Sequence, residues 1–342
     1  MVYYERENGL TTREKLRSVR FMRLISQRNE EKMMRKILFL YVLFLCLAFA
    51  NCALGEDVTY HNFYGTVTVD RNAEYVDLGS VKVPNNDDDY RALYKFLDQL
   101  PNVKKVDMFS SEIRRARIDE MSSRYPDIEF GWTMIIPCHN ELRPERTAHH
   151  IRTDDTAFST LHNTTCTEHS AKDFEILKYC KNLQALDIGH NRVTDLSFLY
   201  DLPHLKVLIM ACNIDLKDIT PIGSLKELQY LEIFKNDIND ISCLANCTEL
   251  VDLNICFNRI SDWSALESLT HLRRLWLFNS NNYSDNIPVP KDAVDALRQA
   301  LPDCKVDDVS YSTLGGWREH PRYVTINTMF AGTEYIPFTT LD

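Results

Sequence analysis

Leu183-Gln184-Ala185-Leu186-Asp187-Ile188-Gly189-His190-Asn191-Arg192-Val193-Thr194-Asp195 decides the fold, because its pattern returns down the chain. The pattern is L-x-x-L-x-L-x-x-N-x-I/V-x-D. It recurs as Leu228, Leu231, Ile233, Asn236, Ile238, Asp240 and as Leu250, Leu253, Ile255, Asn258, Ile260, Asp262. A looser copy runs Leu205, Leu208, Met210, Asn213, then Leu216 and Asp218 after one inserted residue. A fifth starts with Leu272, Leu275 and Leu277 and loses the asparagine to Ser280. Successive first leucines lie 22, 23, 22 and 22 residues apart. A self-similar period of this size marks stacked coils.

The second and third apolar positions are two apart, so they share one face of a short strand. The asparagine ends that strand, with two donors and a carbonyl to satisfy the turning backbone and an adjoining coil. Asp195, Asp218, Asp240 and Asp262 stand where a short return helix needs a cap. Leu196, Leu199 and Leu202 close the first coil; Ile219, Ile222 and Leu225 the second; Ile241, Leu244 and Cys247 the third; Trp263, Leu266 and Leu269 the fourth. One coil cannot bury such a face alone, but a stack can. Each buried Leu or Ile contributes about 1.5–3 kcal/mol before chain entropy is subtracted.

These residues resemble the leucine-rich repeat, and the period of 22 with so short a return resembles its internalin-like class. The resemblance implies an α/β solenoid: a right-handed superhelix, a parallel concave sheet, and a short 3₁₀ or irregular convex side. It covers about residues 183–280. With Ile151–Leu161 and Gly316–Tyr323 added, the chain resembles leucine-rich-repeat proteins exported by Gram-positive bacteria, which implies a secreted or surface protein and supplies no site residues.

The remaining strand positions point away from the core and form columns, one residue per coil. One is Asp187, Ile209, Glu232, Asn254, Trp276; the next is Gly189, Ala211, Phe234, Cys256, Phe278; a third is His190, Cys212, Lys235, Phe257, Asn279. Tyr230, Phe234, Phe257, Arg274, Trp276 and Phe278 therefore gather toward the C-terminal half of the concavity. Clustered outward aromatics are the usual anchors of a binding surface. The competing reading is that the C-terminal cap, or the loop at 281–286, folds over them. Spacing does not choose between the two.

The formal net charge of −10 disfavours nucleic acid as a partner. Upstream, a basic flank at Met33–Lys36 precedes fourteen unbroken apolar residues, Ile37–Ala50, ending Ala48-Phe49-Ala50. That is the form of a secretory signal peptide cut after Ala50, and the run is short for a membrane span, which needs about 20. Translation starting at Met33 or Met34 would remove the long charged stretch before it. An uncleaved anchor, or lipidation at Cys52, would instead leave the chain attached to a membrane.

The expected organisation is a leader over 1–50, a degenerate α/β repeat-like region over 51–136, an irregular linker and entry helix over 137–182, repeats over 183–280 and a C-terminal cap over 281–342. Strands are expected within Tyr60–Val83 and Ile128–Ile136, and helices over Asp87–Leu100 and Ser111–Arg124. Further helices are expected over Pro290–Leu301 and His320–Phe330. Tyr75-Val76-Asp77-Leu78 and Lys105-Val106-Asp107-Met108 read as one element repeated 30 residues apart, the expected form of an atypical terminal repeat.

Chemistry-bearing motifs are few. Cys180 and Cys247 take positions that leucines hold in other coils, so they act as small core hydrophobes. Cys212 and Cys256 lie two coils apart, about 10 Å, which is beyond disulfide reach. Cys138 with Cys166 is the one pair worth considering. The run holding Cys138, His139, His149, His150, His162, Cys166 and His169 matches no standard zinc spacing. Phosphate loops, nucleophile elbows and zinc-protease motifs do not occur. The expected function is non-enzymatic recognition of a protein, or of a cell-wall glycan, without cofactor or metal. Two other classes stay open: an intracellular scaffold resembling phosphatase-regulatory leucine-rich-repeat proteins, and a hydrolase using residues 137–169.

Overall fold

The structure, a computed structural model, describes residues 20, 32–36, 56–136, 149–160, 171–278, 289–310, 313 and 316–337. The chain falls into two compact units, residues 1–58 with 68–72 and residues 59–67 with 73–342. Of the first, residues 32–36 are helical. The apolar run 37–50, Cys52, and Cys138, His139, His162, Cys166 and His169 lie outside the described residues. No helix among the described residues is long and apolar enough to cross a membrane.

Strands Asp57–Asn62 (β1) and Gly65–Asp70 (β2) open the described chain. The second unit then holds a four-stranded sheet of Tyr75–Asp77 (β3), Lys105–Glu112 (β4), Glu129–Ile136 (β5) and His149–Arg152 (β6), in that order. The two similar stretches are neighbours, β3 and β4 pairing in parallel as Tyr75↔Lys105, Val76↔Val106 and Asp77↔Asp107. Helix α1, Asp87–Leu97, buries Tyr90, Leu93, Phe96 and Leu97. Its cap is Asn86, whose side chain accepts from Asp89 N, so Asp87, Asp88 and Asp89 form the first turn instead of the cap. Acidic residues there complement the helix dipole. Helix α2 begins at Arg115 and ends at Arg124. The stretch at Ser111, expected in that helix, extends β4 instead, because Ser111 Oγ accepts from Val83 N.

A seven-stranded parallel sheet carries the repeats. Its members are Ala157–Ser159 (β7), Ala185–Asp187 (β8), Val207–Ile209 (β9), Tyr230–Glu232 (β10), Asp252–Asn254 (β11), Arg274–Trp276 (β12) and Lys305–Asp307 (β13), each paired to the next. The register places Leu186, Leu208, Leu231, Leu253 and Leu275 side by side, and every one is fully buried. Short 3₁₀ turns at Ser197–Asp201, Thr220–Ser224, Ser242–Asn246 and Ser264–Leu266 form the convex side. Asp195, Asp218, Asp240 and Asp262 each accept from the backbone N–H two residues on, holding the chain into these turns. The sheet extends one strand beyond the repeats at each end: β7 lies in the stretch expected to be irregular, and β13 follows the cap helix Lys291–Ala300 (α3).

The asparagines bond backward as well as locally. Asn213 Nδ2 donates to Met210 O in its own coil and to Ile188 O in the preceding one, while its Oδ1 accepts from Val193 N. Asn258 repeats the arrangement, and Asn236 repeats its donor half while its Oδ1 accepts from Asn213 N. Cys180 and Cys247 are fully buried among the leucines, as their positions required. The convex turns stack closely at Gly223, where an added Cβ would sit 2.9 Å from Cys243 O. Gly223→Ala is therefore expected to lower stability by about 1–3 kcal/mol in urea unfolding, with no change in m.

Candidate functional site

The concave face is covered by the chain's own C-terminal segment. Helix Pro321–Gly332 (α4) and the residues around it bury a cluster of Ala157, Ala185, Val207, Ile209, Tyr230, Cys256 and Trp276 against Trp317, Ile326, Met329 and Phe330. Trp317 sits on Tyr230 and Trp276, with ring centroids 5.6 and 5.5 Å away. Its indole N–H donates to Tyr230 Oη at 2.8 Å and lies 3.0 Å from Glu232 Oε2. Farther along, Ala157 N donates to Thr333 O, and Tyr335 N donates to Thr156 Oγ1. The segment thus runs from β12 back to β7.

Of the two readings left open by the spacing, the structure shows the C-terminal cap over part of the aromatic set. Tyr230, Arg274 and Trp276 are buried, at 0 %, 6 % and 2 % exposure. Phe234, Phe257 and Phe278 are half-buried and pack at the margin of the same cluster. Phe257 and Phe278 meet edge to face at 5.5 Å. The signal for the cover was in the sequence: Trp317 and the apolar residues Ile326, Met329 and Phe330 need a partner, and the outward aromatics are one. The third column also departs from a flat sheet. His190, Cys212, Lys235 and Phe257 follow the strands with φ of 56°, 60°, 57° and 55°, the left-handed region that costs a non-glycine residue about 1–2 kcal/mol.

Carboxylates under the segment are unusual in number. Asp187, Glu232 and Asp252 are all buried on the concave side. Asp252 receives four bonds, from Arg274 Nε and Nη2 at 2.9 and 2.7 Å and from Arg322 Nε and Nη2 at 2.8 and 2.8 Å. Burial pushes its carboxyl up, but the two guanidiniums outweigh burial and hold it below the usual range. Arg274 also lies over the Trp317 ring at 4.3 Å. In Glu232, burial dominates and raises the carboxyl despite bonds from Tyr230 and Trp317.

Asp187 is pushed up to about 8, first by burial and then by the Glu232 charge, against the bond from Gly189 N. Its unfolded value is about 3.9. A group raised on folding contributes fully below the unfolded pKa and loses that contribution as pH rises toward the folded one. Stability should therefore fall by a few kcal/mol between about pH 4 and pH 8. Asp252 acts in the opposite sense, but only as pH drops through the acid range. Urea midpoints across pH 5–8 are expected to decline in the parent protein and to decline less steeply in Asp187→Asn, with Glu232, also raised by burial, keeping part of the slope.

Among the described residues no group of His, Cys, Asp and Glu is arranged to hold a metal ion. His149 and His150 lie on β6, paired with Ile136 and Ile135. Cys180, Cys212, Cys243, Cys247, Cys256 and Cys304 are free thiols.

The coil register, the asparagine ladder and the 3₁₀ convex side form a leucine-rich-repeat solenoid. The family pattern described as "Leucine Rich repeats (2 copies)" matches residues 181–224 and 248–291. Among solved structures, an internalin (inlF) from Listeria monocytogenes aligns at 18% identity, covering 62% of this chain and 49% of that one, with TM-score 0.35. A leucine-rich-repeat protein of Leptospira interrogans aligns at 20% identity over 68% of this chain and 54% of that one, with TM-score 0.37. The chain thus spans about half the length of that internalin. No curated protein matches the chain.

Proposed function

We propose that this is a non-enzymatic recognition protein, working outside the cytoplasm and binding a protein partner at the C-terminal half of its concave side. The observation carrying the reading is the row of half-buried phenylalanines Phe234, Phe257 and Phe278 on successive coils, beside exposed Lys235. Aromatic rings on a rigid backbone present large contact area at low entropic cost, and protein interfaces are enriched in them. The backbone here is rigid because the coils are tied to one another by strand pairing, and those carrying Phe234 and Phe257 also by the buried Asn236 and Asn258. The buried thiols Cys247 and Cys256 are raised by burial, which keeps them inert.

Export rests on Met33–Ala50, a basic flank followed by an apolar run that ends in small residues. N-terminal sequencing of protein recovered from the culture medium is expected to begin at Asn51; a chain found intact in the cytosol would remove this part of the reading. For the partner, a photo-crosslinking residue at Phe257 is expected to capture one protein. The same residue at Tyr200, exposed on a convex turn, is expected to capture none. Equal capture at both positions, or capture at neither, would remove the concave side as the recognition surface.

A further inference from the structure

The C-terminal segment is not the continuation of the solenoid. α3 and β13 already continue it, with β13 paired to β12 as Arg274↔Lys305, Leu275↔Val306 and Trp276↔Asp307. Residues 316–337 add no strand to that sheet. Beyond the main-chain bonds at Trp317, Thr333 and Tyr335 they cross it by side chains, and those side chains answer the charges of the face beneath. Trp317 N–H meets Tyr230 and Glu232, and Arg322 meets Asp252. The Arg318 charge acts favourably on both Asp187 and Glu232. Left bare, the face would present Tyr230 and Trp276, with Phe234, Phe257 and Phe278 at their margin, among the carboxylates Asp187, Glu232 and Asp252 and beside Arg274. Such a surface selects an aromatic group flanked by cations.

We propose that residues 316–337 are a built-in stand-in for the ligand. When they lift away, the concave face takes a peptide that supplies an aromatic side chain and arginines in the same places. This rests on the recognition reading above and adds the partner's chemistry and its control. A tethered occupant competes at an effective concentration that reaches the millimolar range for short flexible links. A partner binding the open face therefore shows an affinity reduced by the fraction of open molecules. The chain holds its own face shut until a better match arrives. Val324, exposed at 56%, and the other outer residues of α4 leave the segment's outer side in solvent, from which it can peel.

The test uses the full chain and a labelled synthetic peptide of residues 313–337. A Trp317→Ala/Arg322→Ala variant is expected to bind that peptide at least tenfold more tightly than the parent. A peptide carrying the same two substitutions is expected to bind neither protein. Equal binding by parent and variant overturns the proposal, as does no binding by a variant whose repeat amides keep their hydrogen-exchange protection. Should the variant fail to fold, exchange in the parent protein decides. Amides of α4 exchanging at least tenfold faster than those of β9–β11 support an opening segment; exchange of both together overturns it. A failed cross-link at Phe257 would leave these results standing, so the two readings fail separately.

Discussion

Asn258→Ala is expected to destabilise the protein by about 3 kcal/mol, among the largest effects of any exposed-sounding substitution in this sequence. Asn258 is fully buried. Its Nδ2 lies 2.9 Å from Ile233 O, 3.0 Å from Ile255 O and 3.3 Å from Cys256 O, and its Oδ1 accepts from Ile238 N at 3.2 Å. The residue thus links its own coil to the preceding one through buried main-chain groups. Removing the amide leaves a buried N–H and carbonyls without that partner, at about 1–3 kcal/mol per group before relaxation. Asn239→Ala, on an exposed turn of the preceding coil, is the control and is expected to change stability by less than about 0.5 kcal/mol. The measurement is urea unfolding of both variants. A loss at Asn258 no larger than at Asn239 would mean the ladder does not tie the coils together. Because stacked coils share their stability with neighbours, the loss should spread as lowered exchange protection over β10 and β11.

The repeats were legible because each coil repeats the same local demand, and four imperfect copies average out single exceptions. Met210 for leucine and the inserted residue before Leu216 changed nothing in the register, since Val207, Leu208 and Ile209 still pair with both neighbours. What the period could not reach were the single-copy strands. Lys305-Val306-Asp307 is the same triplet as Lys105-Val106-Asp107 and close to Tyr75-Val76-Asp77, and all three are strands. That likeness crosses 200 residues and lies outside the 22-residue period. β7 carries Phe158 where the repeats carry a leucine, and Asp155 and Thr160 fall at the motif's other two apolar positions, so its pairing with Ala185 and Leu186 was hidden. The site was legible by half. Outward positions were set by the alternation of a strand, but whether an outward ring meets water depends on chain 40 residues away or more, as Trp317 on Trp276 illustrates. Alternation within a strand carries no information about such a distant cover.

Asp252→Asn is expected to cost about 3–5 kcal/mol, or to free the C-terminal segment, because it strands two guanidiniums in a dry interior. Arg274 and Arg322 are 8% and 6% exposed at the side chain and Asp252 is 0% exposed. Each arginine forms a two-pronged pair with one carboxylate, so the triad carries a net positive charge even when intact. The carboxylate is the one negative group bonded to both, while Arg274 also donates to Trp317 O and lies over its ring. Asparagine keeps the shape and loses the charge, and its amide N–H groups would face donors. The physical chemistry of buried ion pairs makes a second, sharper expectation. Replacing all three, as Asp252→Leu/Arg274→Met/Arg322→Met, removes the desolvation cost of every charge at once and should recover most or all of the loss. Thermal melts of the single and triple variants against the parent separate the two accounts. If the triple variant is as unstable as Asp252→Asn, the triad acts through hydrogen-bond geometry; recovery would mean that its charges set which segment sits on the face, and contribute little to how firmly the whole molecule folds.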